Sequence, residues 1–275
     1  MKKRSFRFRG TALAGWILVP GVLLCHLFPL LLTFGYAVTR SAFNRRFIAL
    51  ENFRYLFSNR FFRLGSANLL LLGALALALG MAVILLLGFL LSQHLRLLRR
   101  GMIILLLPLL IPSVSAVSVW QAVFRTNTLL PASDARAALL TLFLWQHTGV
   151  GALLLALALR ALPGEMLDAA ALDGAGACRT FFCVQLPNTA AALAMDGLLL
   201  LLFFLRIFKE SYLLFGPYPS EDVYLLQHYM NHQYQKMNFQ YVAASAVLLV
   251  LVPSLGYLAL GRVLRHGVRY DEKRI

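Results

Sequence analysis

The sequence predicts an all-α integral membrane protein of six spans, built as one domain over residues 1–275. Three observations carry that expectation. Of the 275 residues, 60% are hydrophobic and 13% charged, about half the charged share of a soluble domain, and mean hydropathy is +0.74. Several long stretches contain no Asp, Glu, Lys or Arg at all. The 26 Lys and Arg, against 11 Asp and Glu, fall mostly beside those stretches. There they bound spans and meet anionic lipid, which argues against nucleic acid as the partner of this basic chain.

The first span is placed at about 11–39. Its apolar run passes through Cys25, and Leu24 is too bulky for the residue before a lipoprotein cysteine, so an uncleaved span is expected rather than a signal peptide. The second is placed at 66–92, the third at 101–124, the fourth at 137–159 and the sixth at 239–261. Each lies in a charge-free stretch longer than the roughly 20 residues that cross about 30 Å of hydrocarbon. The fifth, 188–208, is interrupted by Asp196 and ends near Arg206. Pro20, Pro29, Pro108, Pro112 and Pro253 sit inside spans, where neighbouring helices satisfy the carbonyls that proline frees.

Six spans put both termini on one side. The segments on that side carry 15 Lys and Arg against 11 on the other, which favours cytoplasmic termini. The first outer loop runs against the bias, with Arg40, Arg45, Arg46, Arg54, Arg60 and Arg63.

Residues 160–187 join the fourth and fifth spans. They read as a short alanine-rich helix with acidic residues early in it, favourable to the helix dipole. Gly174 and Gly176 break that helix, a more apolar one follows, and Pro187 ends the unit. From composition alone this is an interfacial helix–turn–helix linker. The spacing adds more: Asp168, Ala169, Ala170, three residues, Gly174, nine residues, then Val184, Leu186 and Pro187. This pattern resembles the EAA loop of permease subunits in ATP-binding-cassette (ABC) importers, with Asp168 where the family usually has glutamate. The shorter carboxylate keeps the charge and withdraws it by one methylene.

The resemblance extends along the chain. Trp145, Gly149, Leu159 and Pro163 look like the family's fourth-span signature. Arg99, Arg100, Pro108, Ile111, Pro112, Trp120 and Phe124 are similar to the sugar-permease pattern of the third span. Leu50-Glu51-Asn52-Phe53, Phe61 or Phe62, and Asn68 resemble the first outer loop and second-span entry of maltose-type and glycerol-phosphate-type permeases. The resemblance implies a type I importer permease in a bacterial cytoplasmic membrane, working as a heterodimer with a second permease. Two ATPase subunits and an extracytoplasmic solute-binding protein complete the implied complex. It also implies that Asp168, Ala169, Ala170, Asp173, Gly174, Leu186 and Pro187 meet the ATPase.

No Gly-Lys dipeptide occurs in the chain, so it lacks a phosphate-cradling P-loop. ATP and Mg are expected on the partner ATPase, with no cofactor on this chain and no catalytic constellation. Cys25, Cys178 and Cys183 form neither a disulfide framework nor a metal-ligand ladder. His228 and His232 are four apart, a spacing that metal ligands use, but the glutamate of a zinc-protease pattern is missing; no metal is expected. Tyr212, Tyr218, Tyr224, Tyr229 and Tyr234 crowd the outer segment 209–240, either as sugar or binding-protein contacts or as an interfacial aromatic belt.

Asp196 is the most costly residue in any span, and intramembrane acids usually face a cavity or a partner. With Trp120, Gln121, Trp145 and Gln146 it is placed along the translocation path. The alternative is a structural hydrogen bond to a neighbouring helix. Two rival functions remain: an ion-coupled secondary transporter using Asp196, and a non-transporting membrane scaffold. Neither accounts for the spacing from Asp168 to Pro187.

Overall fold

A computed structural model describes residues 20–41, 44–124 and 132–271. The start of the expected first span and both termini lie outside the described residues. The described chain is helical: α1 (Pro20–Ala37), α2 (Glu51–Ser58), α3 (Arg60–Gln93), α4 (Leu95–Leu110), α5 (Ser113–Phe124) and α6 (Ala132–Arg160). After these come α7 (Gly164–Leu172), α8 (Ala177–Asn188), α9 (Ala190–Phe204), α10 (Phe208–Phe215), α11 (Leu226–Gln235) and α12 (Phe239–Asp271). It divides into two compact units: residues up to Arg60 with Met230–Leu251, and Phe61–Tyr229 with residues from Val252 on.

Among the described residues, α1, α3 and the Asp134–Arg160 part of α6 are long and apolar enough to cross a membrane by themselves. The span expected over 101–124 is instead a bent pair, with α4 and α5 meeting at 95°. The cause is local. Ile111 precedes Pro112 and sits in extended backbone (φ −71°, ψ 129°), because the proline ring disfavours the α conformation in the residue before it. The region expected to begin the fifth span also bends, by 74° between α8 and α9, at Thr189. The sixth span expected at 239–261 falls on α12, whose apolar portion, Phe239–Leu255, is shorter than the helices long enough to cross by themselves.

Two π-helical turns, Leu23–Leu27 and Phe181–Gln185, each end two residues before a proline in the helix. Pro29 and Pro187 have no N–H to give and would press on the carbonyl four residues back. Widening the turn moves that carbonyl away: Phe28 bonds to Leu23 and Leu186 to Phe181, five residues apart.

In the larger unit α3 supplies a stripe of small residues. A side chain at Gly73 would meet Phe204, one at Gly80 would meet Leu200, and one at Gly88 would meet Leu155. Small residues let membrane helices approach closely and gain dispersion contacts, and this stripe seats α3 against α9 and α6. The α6 helix runs antiparallel to α4, with Leu98 against Leu153 and Ala156. It runs antiparallel to α9 as well, with Phe143 against Phe204. At Gly149 the backbones of α6 and α4 come closest, since a Cβ there would overlap the Leu105 carbonyl.

The outer segment after α10 is sewn to the start of α3. The Asn68 amide donates to the carbonyls of Glu221 (2.6 Å) and Tyr224 (3.0 Å). Tyr224 and Tyr229 are buried, edged by Phe61 and Phe62 respectively. Burial, with the Tyr218 phenol nearby, pushes the Tyr224 hydroxyl up to about 12. These two tyrosines are packing residues, whereas Tyr218 and Tyr234 are exposed. Asn68→Leu is expected to lower stability by about 1–3 kcal/mol, because the buried Tyr224 carbonyl and the half-buried Glu221 carbonyl lose their donor. A lower melting midpoint in detergent and faster proteolysis within residues 216–225 would register it.

Candidate functional site

The loop between α6 and α9 is held at three places within the larger unit. At the end of α6 the Arg160 guanidinium donates to the Ser92 carbonyl at the end of α3 (2.7 Å). Phe181 of α8 is buried and stands edge-on to Phe89 of α3, with ring centroids 4.7 Å apart. Ala170 turns the inner face of α7 into the protein.

The end of α7 is closed by backbone alone. Ala175 N–H bonds to the Ala170 carbonyl (3.0 Å) and Gly174 N–H to the Ala171 carbonyl (3.0 Å). That pairing is a Schellman motif, which requires a left-handed residue after the cap, and Gly174 supplies it at φ +75°. A Cβ at Gly174 would touch nothing within 4 Å, so conformation, not space, selects glycine there. Outside this turn lies an exposed face of Glu165, Asp168, Ala169, Ala171, Leu172 and Asp173. Leu172 at its tip is 90% exposed. A fully exposed leucine ringed by small and acidic residues suits contact with another protein that carries an apolar cleft and basic groups. Leu186 is half-buried and Pro187 exposed at the far end of α8.

The residues expected along the path separate into two groups. Trp120 and Trp145 are together, with ring centroids 4.8 Å apart and 33° between planes. The Trp120 indole N–H donates to the Thr141 hydroxyl (3.3 Å), and Trp145 stays 37% exposed. Thr141 and Trp145, one turn apart, form an exposed edge of α6. Gln121 turns aside and donates to the Leu213 (3.0 Å) and Leu214 (3.4 Å) carbonyls, tying α5 to α10.

Gln146 and Asp196 are interior. Asp196 is fully buried, and a Cβ at Gly151 of α6 would lie 3.2 Å from its Oδ1. Among the described residues neither Asp196 oxygen has a hydrogen-bond partner, and the Gln146 Oε1 has none either. His147, next to Gln146 on α6, rests on Phe143 and Phe203 and bonds through Nδ1 to the Phe143 carbonyl (3.0 Å).

Sequence reasoning missed Glu210 and Ser113. The Ser113 hydroxyl donates to Glu210 Oε1 (2.6 Å) at the start of α5, just past the Pro112 bend. A lone acid in an apolar helix was the available signal, but its partner lies 97 residues away in sequence. His228 is engaged locally, its Nδ1 accepting from the Leu225 N–H (3.1 Å) at the head of α11. Among the described residues no group of three His, Cys, Asp or Glu is placed to hold a metal ion.

Comparison with known proteins agrees with this architecture. Residues 84–270 match the family described as "Binding-protein-dependent transport system inner membrane component". The chain is 29% identical over 135 residues to the multiple sugar-binding transport system permease protein MsmF of Streptococcus mutans, covering 49% of this chain and 46% of that protein. It is 26% identical over 192 residues to the sn-glycerol-3-phosphate transport system permease protein UgpA of Pectobacterium atrosepticum, covering 64% and 62%. Against the diacetylchitobiose uptake system permease protein NgcF of Streptomyces coelicolor it is 26% identical over 239 residues, covering 75% and 67%. The matches thus span from about half to two thirds of these relatives' length. A chain from the crystal structure of a bacterial ABC transporter involved in importing the acidic polysaccharide alginate superposes with a TM-score of 0.77 at 18% identity, covering 92% of this chain and 96% of that one. The matched region contains α4 to α10, with the Schellman-closed loop and the tryptophan pair, and the chain belongs to the family of binding-protein-dependent transport system inner membrane components.

Proposed function

We propose that this chain is the membrane-spanning permease subunit of an ABC importer for a sugar or related solute, coupled through the loop 160–187 to a separate ATPase. The observation that carries the reading is the exposed face of α7, closed by the left-handed Gly174. It combines small residues, acids and an uncovered Leu172 on a loop anchored to α3. ATP and Mg bind the ATPase, two copies of which work with this chain and a second permease. A solute-binding protein delivers the solute from outside, and lipid covers the apolar flanks. The loop and both termini are cytoplasmic.

Asp168 and Asp173 meet basic groups of the ATPase, and Ala169 and Ala171 let its backbone come close. When ATP draws two ATPases together, the paired loops move with them, and the spans shift from an inward-facing to an outward-facing population. Trp120 and Trp145 border the solute path, offering flat faces to the apolar side of sugar rings. Sugar-class uptake is supported by the named systems of MsmF and NgcF, both carbohydrate transporters by description.

Purification of the tagged chain in mild detergent, beside Gly174→Asp, tests the reading. Wild type is expected to bring down a second permease and an ATPase. The variant forces a side chain into left-handed backbone, at roughly 1–2 kcal/mol, and adds a carboxylate to the docking face. It is expected to keep the second permease and lose the ATPase. A wild-type chain that brings down no ATPase, under conditions that preserve a known importer, overturns the proposal. Ion-coupled transport through Asp196 is then the reading to test, since its buried carboxyl, without a partner among the described residues, is the observation that favours it.

A further inference from the structure

The loop end of α4 carries charge that neither the coupling loop nor the solute path uses. Arg96, Arg99 and Arg100 are all exposed within its first two turns. Arg96 stands three residues from Arg99 and four from Arg100, the spacings at which helical side chains are neighbours and like charges repel. No Asp or Glu occurs between Asn52 and Ser133. Among the described residues none of the three arginines is within ion-pair distance of a carboxylate, those of the loop included. A fourth guanidinium stands at the same level. Leu98 packs against Leu153 and Ala156, so the antiparallel α6 brings Arg160, one turn past Ala156, level with the start of α4. Arg160 is exposed and donates through one nitrogen to the Ser92 carbonyl (2.7 Å). A guanidinium has five N–H donors, so Arg160 keeps others for a second acceptor.

Below this charge the same face of α4 turns aliphatic. From Arg96 and Arg100 it continues through Ile103, Leu107 and Leu110, in alternating steps of four and three residues that keep to one side of a helix. Ile103 is 73% exposed and Leu110 75%. The opposite side is occupied, with Leu98, Leu105 and Leu106 in the cluster that joins α4 to α6. Arg100 to Leu110 covers about 15 Å of helix, half of a hydrocarbon core of roughly 30 Å and so the depth of one leaflet. A soluble anion would meet the arginines and leave the stripe uncovered. A phospholipid covers both, because the planar fork of arginine matches a phosphate and an acyl chain matches the stripe. The clustered positive charge repels the amine of a zwitterionic headgroup and so favours an anionic one.

We infer that the loop end of α4 is a binding site for an anionic phospholipid, its phosphate held by Arg96, Arg99 and Arg100 and an acyl chain lying along Ile103, Leu107 and Leu110. Arg160 borders the headgroup, and its bond to Ser92 ties the site to the place where α3, α6 and the loop 160–187 meet. Bound lipid relieves the repulsion among the arginines and steadies α4 beside that joint. The site requires only that the chain lies in a membrane, so it stands apart from the importer reading.

The test titrates the tagged chain, purified in mild detergent with the subunits that accompany it, with phosphatidylglycerol and with phosphatidylcholine of the same acyl chains. Native mass spectrometry counts the lipid that stays bound. Wild type is expected to hold phosphatidylglycerol at least about tenfold more tightly, a margin of roughly 1.4 kcal/mol that one charge-assisted hydrogen bond supplies. That preference is expected to shrink as salt rises from about 50 to about 300 mM. Arg99→Gln with Arg100→Gln is expected to abolish the preference, and Ile103→Ser with Leu107→Ser to weaken both lipids alike. Equal retention of the two lipids by wild type overturns the inference, as does a preference that survives in the arginine variant. Displacement of the lipid by millimolar inorganic phosphate also overturns it, by making the arginines a site for a soluble anion. Loss of an accompanying subunit from the arginine variant, with the lipid preference intact, assigns them to a protein contact instead. If the double variant does not fold, the two-lipid comparison on wild type and on Arg100→Gln alone decides.

Discussion

Gly149→Val is expected to leave almost no folded protein in a detergent extract, whereas Gly80→Ala is expected to be tolerated. Both glycines lie where helices cross closely, but they face different atoms. A Cβ at Gly149 would overlap the Leu105 carbonyl oxygen, with the carbonyl carbon 2.8 Å away. Both atoms are backbone of α4, and that helix is fixed by its own hydrogen bonds and by Leu98 against Leu153 and Ala156. Relief requires moving the whole α4–α6 pair. Overpacking that forces backbone shifts costs about 1–3 kcal/mol or more, and two extra methyl groups place Gly149→Val at the upper end. At Gly80 the nearest atom is the Leu200 Cδ1, at 2.9 Å, the far end of a side chain that another rotamer moves away. The check is the monodisperse fraction and melting midpoint of each variant. Leu200→Ala is expected to restore Gly80→Ala fully, while Leu105→Ala is expected not to restore Gly149→Ala, because the obstructing atoms are not side chain. Rescue of the Gly149 variant by Leu105→Ala would show that the backbone contact is unimportant.

Asp196→Leu is expected to raise the melting midpoint while lowering solute uptake at least about tenfold, a loss worth roughly 1.4 kcal/mol of transport barrier. The stability half follows from burial. The carboxyl is fully enclosed and accepts no hydrogen bond from the described residues. A buried polar group without a partner costs about 1–3 kcal/mol, and an apolar side chain of similar shape removes that cost. Ile84 and Gly151 already line the position with apolar atoms. The functional half follows from retention: an acid this unfavourable in a span marks a pathway or a partner. Heat stability and uptake, measured on equal amounts of membrane-inserted protein, separate the two. A stabilised variant with wild-type uptake would make Asp196 a bystander and remove it from the solute path. Lower stability would instead reveal that the carboxyl makes a hydrogen bond that leucine cannot replace. Uptake driven by a proton or sodium gradient without ATP would pass the role to ion coupling.

The loop was legible because its signals are local. Gly174, Gly176 and Pro187 each constrain their own backbone, and the acid-alanine-alanine run to Gly174 lies within seven residues. The helix, left-handed turn and second helix follow from those residues whatever surrounds them. The long apolar helices α1, α3 and α6 were legible for a similar reason, since the lack of charge over twenty or more residues is a property of a segment. Bends were less so. Pro108 and Pro112 both lie in the third apolar stretch, but the helix continues through Pro108 and breaks at Pro112. Only the neighbours decide whether a freed carbonyl is satisfied in place.

The residues expected along the path show the limit more sharply. Trp120, Gln121, Trp145, Gln146 and Asp196 look alike in sequence, as polar or aromatic side chains in apolar helices. Tertiary packing brings Trp120 to Trp145, turns Gln121 onto the carbonyls of α10 and closes Gln146 and Asp196 inside. The pairings Asn68–Glu221, Ser113–Glu210 and Arg160–Ser92 join residues 153, 97 and 68 positions apart. By itself the sequence determined the membrane fold, the helix–turn–helix form of residues 160–187 and the family, because hydropathy, turn chemistry and spacing are read residue by residue along the chain. Tertiary structure alone decided which polar groups are exposed, paired or orphaned, because helix rotation and close approach at glycines such as Gly149 depend on neighbours distant in sequence.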